Sequence, residues 1–102
     1  MKTDYPFNSY RPLPQGLTIG QSKIHGLGVF ATKDWSAATH LGRTHIADTR
    51  NDWIRTPLGG FINHSEEPNA FILNGRIHRE LYTIKPIKKG DEIVVYYTLQ
   101  TA

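Results

Sequence analysis

The chain has 102 residues and a mass of 11.6 kDa, which is room for one domain with one modest core. An apolar share of 38% beside 21% charged residues excludes a fibrous or disordered chain, and no apolar run approaches the ~20 residues of a membrane helix. The absence of cysteine excludes disulfides, zinc ribbons, thiol nucleophiles and iron–sulfur clusters, while a net charge of +3 is too mild to argue for nucleic acid.

Residues 1–16 hold three of the six prolines (Pro6, Pro12, Pro14) together with Tyr5, Phe7 and Tyr10. Proline denies this stretch helical and central-strand hydrogen bonds, so an extended N-terminal arm is expected, pinned by its aromatics, ahead of a domain over 17–102. Residues 1–6 lack the apolar stretch of a signal peptide, and an intracellular location, cytoplasmic or nuclear, is the expectation. Leu17-Thr18-Ile19 alternates as a strand does, Gln21-Ser22-Lys23 breaks it, and Val29-Phe30-Ala31-Thr32 resumes it after Gly26-Leu27-Gly28. Residues 39–47 offer another short strand around Gly42, and Asp52-Trp53-Ile54 precedes a turn at Pro57-Leu58-Gly59-Gly60. Ala70-Phe71-Ile72-Leu73 and residues 76–84 flank Asn74-Gly75. That pair suits a type I′ turn, whose central residues both take positive φ, so a tight hairpin is predicted there. Pro86 ends the run, Lys89-Gly90-Asp91 turns, and Ile93-Val94-Val95-Tyr96-Tyr97 is a last β-branched and aromatic strand. No helical periodicity exceeds about two turns. The chain reads as mainly β.

Three segments carry residues suited to chemistry. In His25-Gly26-Leu27-Gly28-Val29-Phe30 two glycines allow a backbone to lie close against a ligand, or simply make a hairpin corner. In Phe61-Ile62-Asn63-His64-Ser65-Glu66-Glu67-Pro68-Asn69 a polar cluster follows apolar residues; it reads as a binding element or as a turn satisfying its own backbone. In Gly90-Asp91-Glu92-Ile93-Val94-Val95-Tyr96-Tyr97 the paired tyrosines read as site residues or as packing.

Taken together and in this order, the segments resemble the SET-domain family of S-adenosylmethionine-dependent protein lysine methyltransferases. The matching pieces are Gly26-Leu27-Gly28-Val29-Phe30-Ala31, Phe61-Ile62-Asn63-His64-Ser65 with Pro68-Asn69, and Gly90-Asp91-Glu92-Ile93 ending at Tyr97. The stretch from Tyr82 through Lys85-Pro86 to Gly90 also looks like the family's strand and turn before its last motif. The resemblance implies a β-clip of several small curved sheets with few short helices and a C-terminal pseudoknot, the last segment tucked under a loop near the Asn-His pair. It implies S-adenosylmethionine as cofactor, held by the main chain of Gly26, Leu27 and Gly28 and by Asn63 and His64. It places Tyr97 at the methyl-transfer centre, with Tyr82 and Tyr96 as candidate aromatics of the substrate channel, although Tyr82 also suits strand packing. The partner it implies is a protein or peptide carrying a lysine.

The sequence also departs from the family pattern. Gly60 stands where an arginine often precedes Phe-Ile-Asn-His, Glu66 where a cysteine often follows Asn-His-Ser, and Tyr96 where an acidic residue is common. Five residues follow Tyr97, so a second copy or the N-terminal arm is expected to complete the site, and a homodimer is the expected assembly. His40 and His45, five apart on a strand, point to opposite faces, and His25 and His78 lack ligand-like partners, so no metal site is expected. Two other functions fit the residues. One is a SET-like binding or assembly module without catalysis. The other is a small basic β-domain that binds nucleic acid through Arg76, Arg79, Lys85, Lys88 and Lys89, although that run reads better as a solvated surface.

Overall fold

The structure is a computed structural model that describes residues 13–48 and 52–97. In chain order the elements are β1 (Leu17–Gln21), β2 (Leu27–Ala31), β3 (His40–Ala47), β4 (Trp53–Arg55), α1 (Pro57–Phe61), β5 (Asn63–His64), β6 (Ala70–Asn74), β7 (His78–Thr83) and β8 (Glu92–Val95). They form two four-stranded sheets, ordered β1-β2-β8-β5 and β4-β3-β7-β6. The mainly β class and the small sheets are those that the resemblance implies. Among the described residues, no helix is long and apolar enough to cross a membrane.

Alternation decides which side chains enter the core. In β7 Arg79, Leu81 and Thr83 point inward while His78, Glu80 and Tyr82 do not. The core draws Leu17, Val29, Ala31, Ile93 and Val95 from the first sheet and Leu41, Ala70 and Leu81 from the second, joined by Leu58, Ile62 and Ile87. Burying each large aliphatic among these contributes about 1.5–3 kcal/mol. Leu13 belongs to this core as well, at 6% exposure, so packing begins before residue 17. Tyr5, Phe7 and Tyr10, the aromatics of the expected arm, lie outside the described residues.

Two local expectations are overturned. Residues 57–60 do not make a turn; they make most of α1. Thr56 caps that helix, with its hydroxyl accepting from the amide of Gly59 at 3.2 Å while donating to the carbonyl of Arg43 at 2.6 Å, and Pro57 fills the first turn, where no amide is needed. Gly59 is a glycine because a Cβ there would collide with the main-chain carbonyl of Thr44. The cap and this close fit to β3 stabilise a helix too short to persist alone.

The Asn74-Gly75 turn is also absent. β6 and β7 pair as Ala70↔Thr83, Ile72↔Leu81 and Asn74↔Arg79, and Gly75 donates to the carbonyl of His78 at 2.8 Å, so the chain reverses at Arg76-Ile77. Neither Asn74 nor Gly75 has positive φ. The observed register sets Leu81 beside Ile72 and Thr83 beside Ala70 on the buried face; a turn at 74–75 would carry Leu81 past the end of β6.

The C-terminal strand is clasped. β5 runs parallel to β8 (Asn63↔Val94, His64↔Val95), and the amide of Ser65 donates to the carbonyl of Val95 at 2.8 Å. From the far end of the same loop, the side-chain oxygen of Asn69 accepts from the Val94 amide at 2.9 Å and its nitrogen donates to the Glu92 carbonyl at 2.8 Å. Residues 63–69 thus lie across β8 and hold it at both ends, as a strand tucked under this loop requires.

Candidate functional site

α1 ends at Phe61, Ile62 turns into the core, and the next two residues form β5. This short path delivers Asn63 and His64 to the edge of the first sheet, beside the end of β8. The side-chain nitrogen of Asn63 lies 3.2 Å from the carbonyl of His25, 3.1 Å from that of Leu27 and 2.9 Å from Glu92 Oε2. Its two N–H groups are shared among three acceptors, which fixes the amide orientation. Glu92 is held in turn by Ser22, whose hydroxyl donates to Oε1 at 2.9 Å.

Gly28 sits at the centre of this cluster. A Cβ on it would overlap the Glu92 carboxylate and come within 3.0 Å of Asn63 Nδ2. The close approach that the glycine allows is therefore made by two side chains of the chain itself. Gly26 differs: its φ is +48°, and nothing lies within 4 Å of where its Cβ would be. Leu27, between them, is half exposed while its carbonyl accepts from Asn63.

The far side of β5 carries His64 and the two tyrosines. β8 ends at Val95, so Tyr96 and Tyr97 lie past the strand. Both rings pack on the His64 imidazole, with centroids at 4.9 Å for Tyr96 and 5.3 Å for Tyr97. The last strand expected over 93–97 thus ends two residues early, and both tyrosines turn onto one ring. The Tyr97 amide donates to His64 Nδ1 at 2.9 Å, and its hydroxyl donates to the carbonyl of Ile62. Burial raises the pKa of the Tyr97 hydroxyl above its ordinary value, with nearby Arg55 pulling more weakly the other way.

The structure thus brings Gly28, Leu27, Asn63, His64, Tyr96 and Tyr97 to the two sides of one short strand, with Gly26 at the near end of β2. Tyr82 is placed differently. Its ring stacks on Phe71 at 5.7 Å and tilts against His40 at 5.2 Å, as cross-strand packing on the second sheet. Sequence reading gave no role to Ser22 or Glu92. Glu92 lies in a quoted motif, but nothing local shows that it meets Asn63, and Ser22 carries no signal at all. Among the described residues no group of three His, Asp or Glu side chains converges as metal ligands.

Comparison with known proteins bears on the family and the fold. Residues 44–98 match the sequence model of the SET domain, which is more than half of the chain. The histone-lysine N-methyltransferase SET5 of Saccharomyces cerevisiae (strain YJM789) is 51% identical over 39 residues, 36% of this chain; the match spans only 7% of that protein's length. A Plasmodium falciparum protein solved as a candidate histone methyltransferase superposes with a TM-score of 0.70 at 22% identity, covering 83% of this chain and 95% of that one. The methyltransferase domain of human PR domain-containing protein 2 gives a TM-score of 0.64 at 21% identity, over 89% of this chain and 82% of that one. At such identities the structural likeness establishes the fold. With the sequence match and the clasped β8, the conclusion is that this chain belongs to the SET-domain family.

Proposed function

We propose that the chain uses S-adenosylmethionine to methylate the side-chain amine of a lysine in a protein or peptide. One observation carries the reading: β5 places Asn63 against the Gly28 backbone on one side and His64 against Tyr97 on the other.

The residues present fit the cofactor. Gly26 leaves open space where a side chain would stand, and the carbonyls of His25 and Leu27, the Glu92 carboxylate and Asn63 Oδ1 make an acceptor-rich wall suited to a cationic ligand. No donor among the described residues reaches Asn63 Oδ1. The main chain of 26–28, with Asn63 and the main chain of His64, would hold the cofactor. When bound, it supplies a sulfonium methyl group to an incoming nucleophile.

The other tasks fall to the protein. A lysine amine titrates near 10.4 in water and must arrive neutral, which a desolvated channel favours. Tyr97 is unsuited to be a general base, because burial raises the pKa of its hydroxyl. With its proton donated to the Ile62 carbonyl, the phenol oxygen keeps lone pairs that can accept from an amine N–H and hold the nitrogen in line. Tyr96 packs on the same imidazole and forms a further wall of the channel.

Calorimetric titration with S-adenosylmethionine, followed by turnover on a lysine peptide, tests the reading. Binding with turnover supports it; binding without turnover leaves a SET-like assembly module; no binding removes it. A homodimer is part of the proposal, and light scattering that reports a monomer with full activity would remove that part.

A further inference from the structure

We infer that the imidazole of His64 is a positioning residue for Tyr97, acting on that tyrosine through its main-chain amide and not on the cofactor. The inference rests on the methyltransferase reading of Tyr97 and assigns the His64 side chain a separate task within it.

The lone pairs of the imidazole limit what the ring can hold. The Tyr97 N–H points at His64 Nδ1 at 2.9 Å, and an N–H donor requires an unprotonated acceptor. This bond requires the tautomer with the proton on Nε2. A neutral imidazole has one lone pair in its plane, and here that lone pair is spent on Tyr97. Nε2 faces the exposed Glu66 carboxylate at 3.7 Å, which favours the same tautomer while contributing little energy through water. No acceptor remains on the ring for a ligand.

Tyr97 also needs such a partner. With β8 ended at Val95, its amide has left the ladder, and an amide without an acceptor next to packed rings is costly. His64 supplies the acceptor, and its ring packs against the Tyr97 ring. Two residues earlier, the Ile62 carbonyl takes the Tyr97 hydroxyl. Residues 62–64 thus fix both ends of Tyr97, one through a carbonyl and one through an imidazole. A group that aligns an amine must itself be held, since small displacements at a reacting centre lose large factors in rate.

The test compares His64→Asn with His64→Gln in the full chain. Asn places its side-chain oxygen near the position of Nδ1, whereas Gln reaches toward that of Nε2, and both lose the ring. His64→Asn is expected to keep kcat within about threefold of His64→Gln's parent, the wild type, while His64→Gln loses roughly tenfold. The cofactor Kd should stay within about twofold in both, because the cofactor contacts of this residue are assigned to its main chain. Imidazole nitrogen chemical shifts at about pH 8 should show an unprotonated Nδ1 in the wild type, and the Tyr97 amide resonance should move in His64→Gln more than in His64→Asn. A protonated Nδ1, equal effects of the two variants, or a loss of cofactor affinity at unchanged kcat would each overturn the inference. If the wild type binds cofactor without turnover, the methyltransferase reading fails, and the tautomer with the Tyr97 amide shift still decides whether His64 holds Tyr97.

Discussion

Asn63 and Glu92 meet side chain to side chain, Nδ2 to Oε2 at 2.9 Å, at the place where Gly28 has no Cβ. Three segments far apart in sequence thus share one contact, and each becomes a condition on the others. Gly28→Ala should keep the fold, because the overlapping atoms are the ends of side chains that can move. Asn63 and Glu92 should be pushed apart, and S-adenosylmethionine affinity is expected to fall about tenfold, with at most about 1 kcal/mol lost in stability. Calorimetry with a parallel urea titration reads both. Unchanged affinity would mean that the cofactor does not lie against this cluster.

Gly59→Ala makes the contrasting case. There the added Cβ meets the main-chain carbonyl of Thr44, which cannot swing aside without disturbing β3. The expected outcome is a loss of stability of about 2 kcal/mol or more, seen as a lower urea midpoint at an unchanged m-value. A variant as stable as the wild type would show that α1 can lift from β3.

Asn69→Ala tests the clasp on β8. It removes the acceptor of the Val94 amide and the donor to the Glu92 carbonyl, leaving the polar groups of a buried strand unpaired. Such a loss costs about 2–3 kcal/mol. If the urea midpoint stays where it was, the loop 63–69 does not hold the strand.

These positions also show what the sequence could convey. The alternation in residues 17–19 and 29–32 marks strands because side-chain burial there has a local period, whereas the run 93–95, buried throughout, is marked by its β-branched composition. The hairpin at 74–79 resists such reading: sliding the register by four residues keeps every side chain on its face, so the pattern fits both pairings. The burial of Leu81 and Thr83 beside Ile72 and Ala70 separates them, and that is a property of the assembled sheet. α1 was hidden because its two glycines read as a turn, while the reason for Gly59 lies in the distant Thr44 carbonyl. At the site, the Asn-His pair and Tyr97 were legible as motifs. Their link through His64 Nδ1 was not, since it depends on where β8 stops.

His45 sets a pH dependence. Burial lowers its pKa, and Arg79 and Arg55 act in the same direction. A base whose folded pKa lies below its unfolded value of about 6.5 is protonated first in the unfolded chain. Its stabilising contribution is complete above that value and is lost as pH falls through the folded pKa. The urea midpoint of the wild type should therefore decline below about pH 6.5, by less than one full proton's slope because the ring is partly exposed. His45→Gln should flatten the decline, and an identical profile in the variant would assign it to other groups.

Tyr97→Phe separates alignment from binding. The ring still packs on His64, and the amide still donates to Nδ1, so the fold should be retained. The hydroxyl is lost, along with its bond to the Ile62 carbonyl and the oxygen that would accept from the incoming amine. The cofactor contacts are assigned to residues 26–28, Asn63 and the main chain of His64, so cofactor affinity should hardly change. The loss should fall on the chemical step, by about 1.5–3 kcal/mol, or roughly ten- to a hundredfold in kcat. Tyr96→Phe is the comparison. Both rings lie on the same imidazole, but only the Tyr97 hydroxyl is tied back to Ile62, which gives it a fixed place from which to orient an amine. Side-by-side kinetics on a lysine peptide should show a small effect at Tyr96 and a large one at Tyr97. Equal losses in the two variants would assign both tyrosines to shaping the channel and would leave the amine to be aligned by other groups.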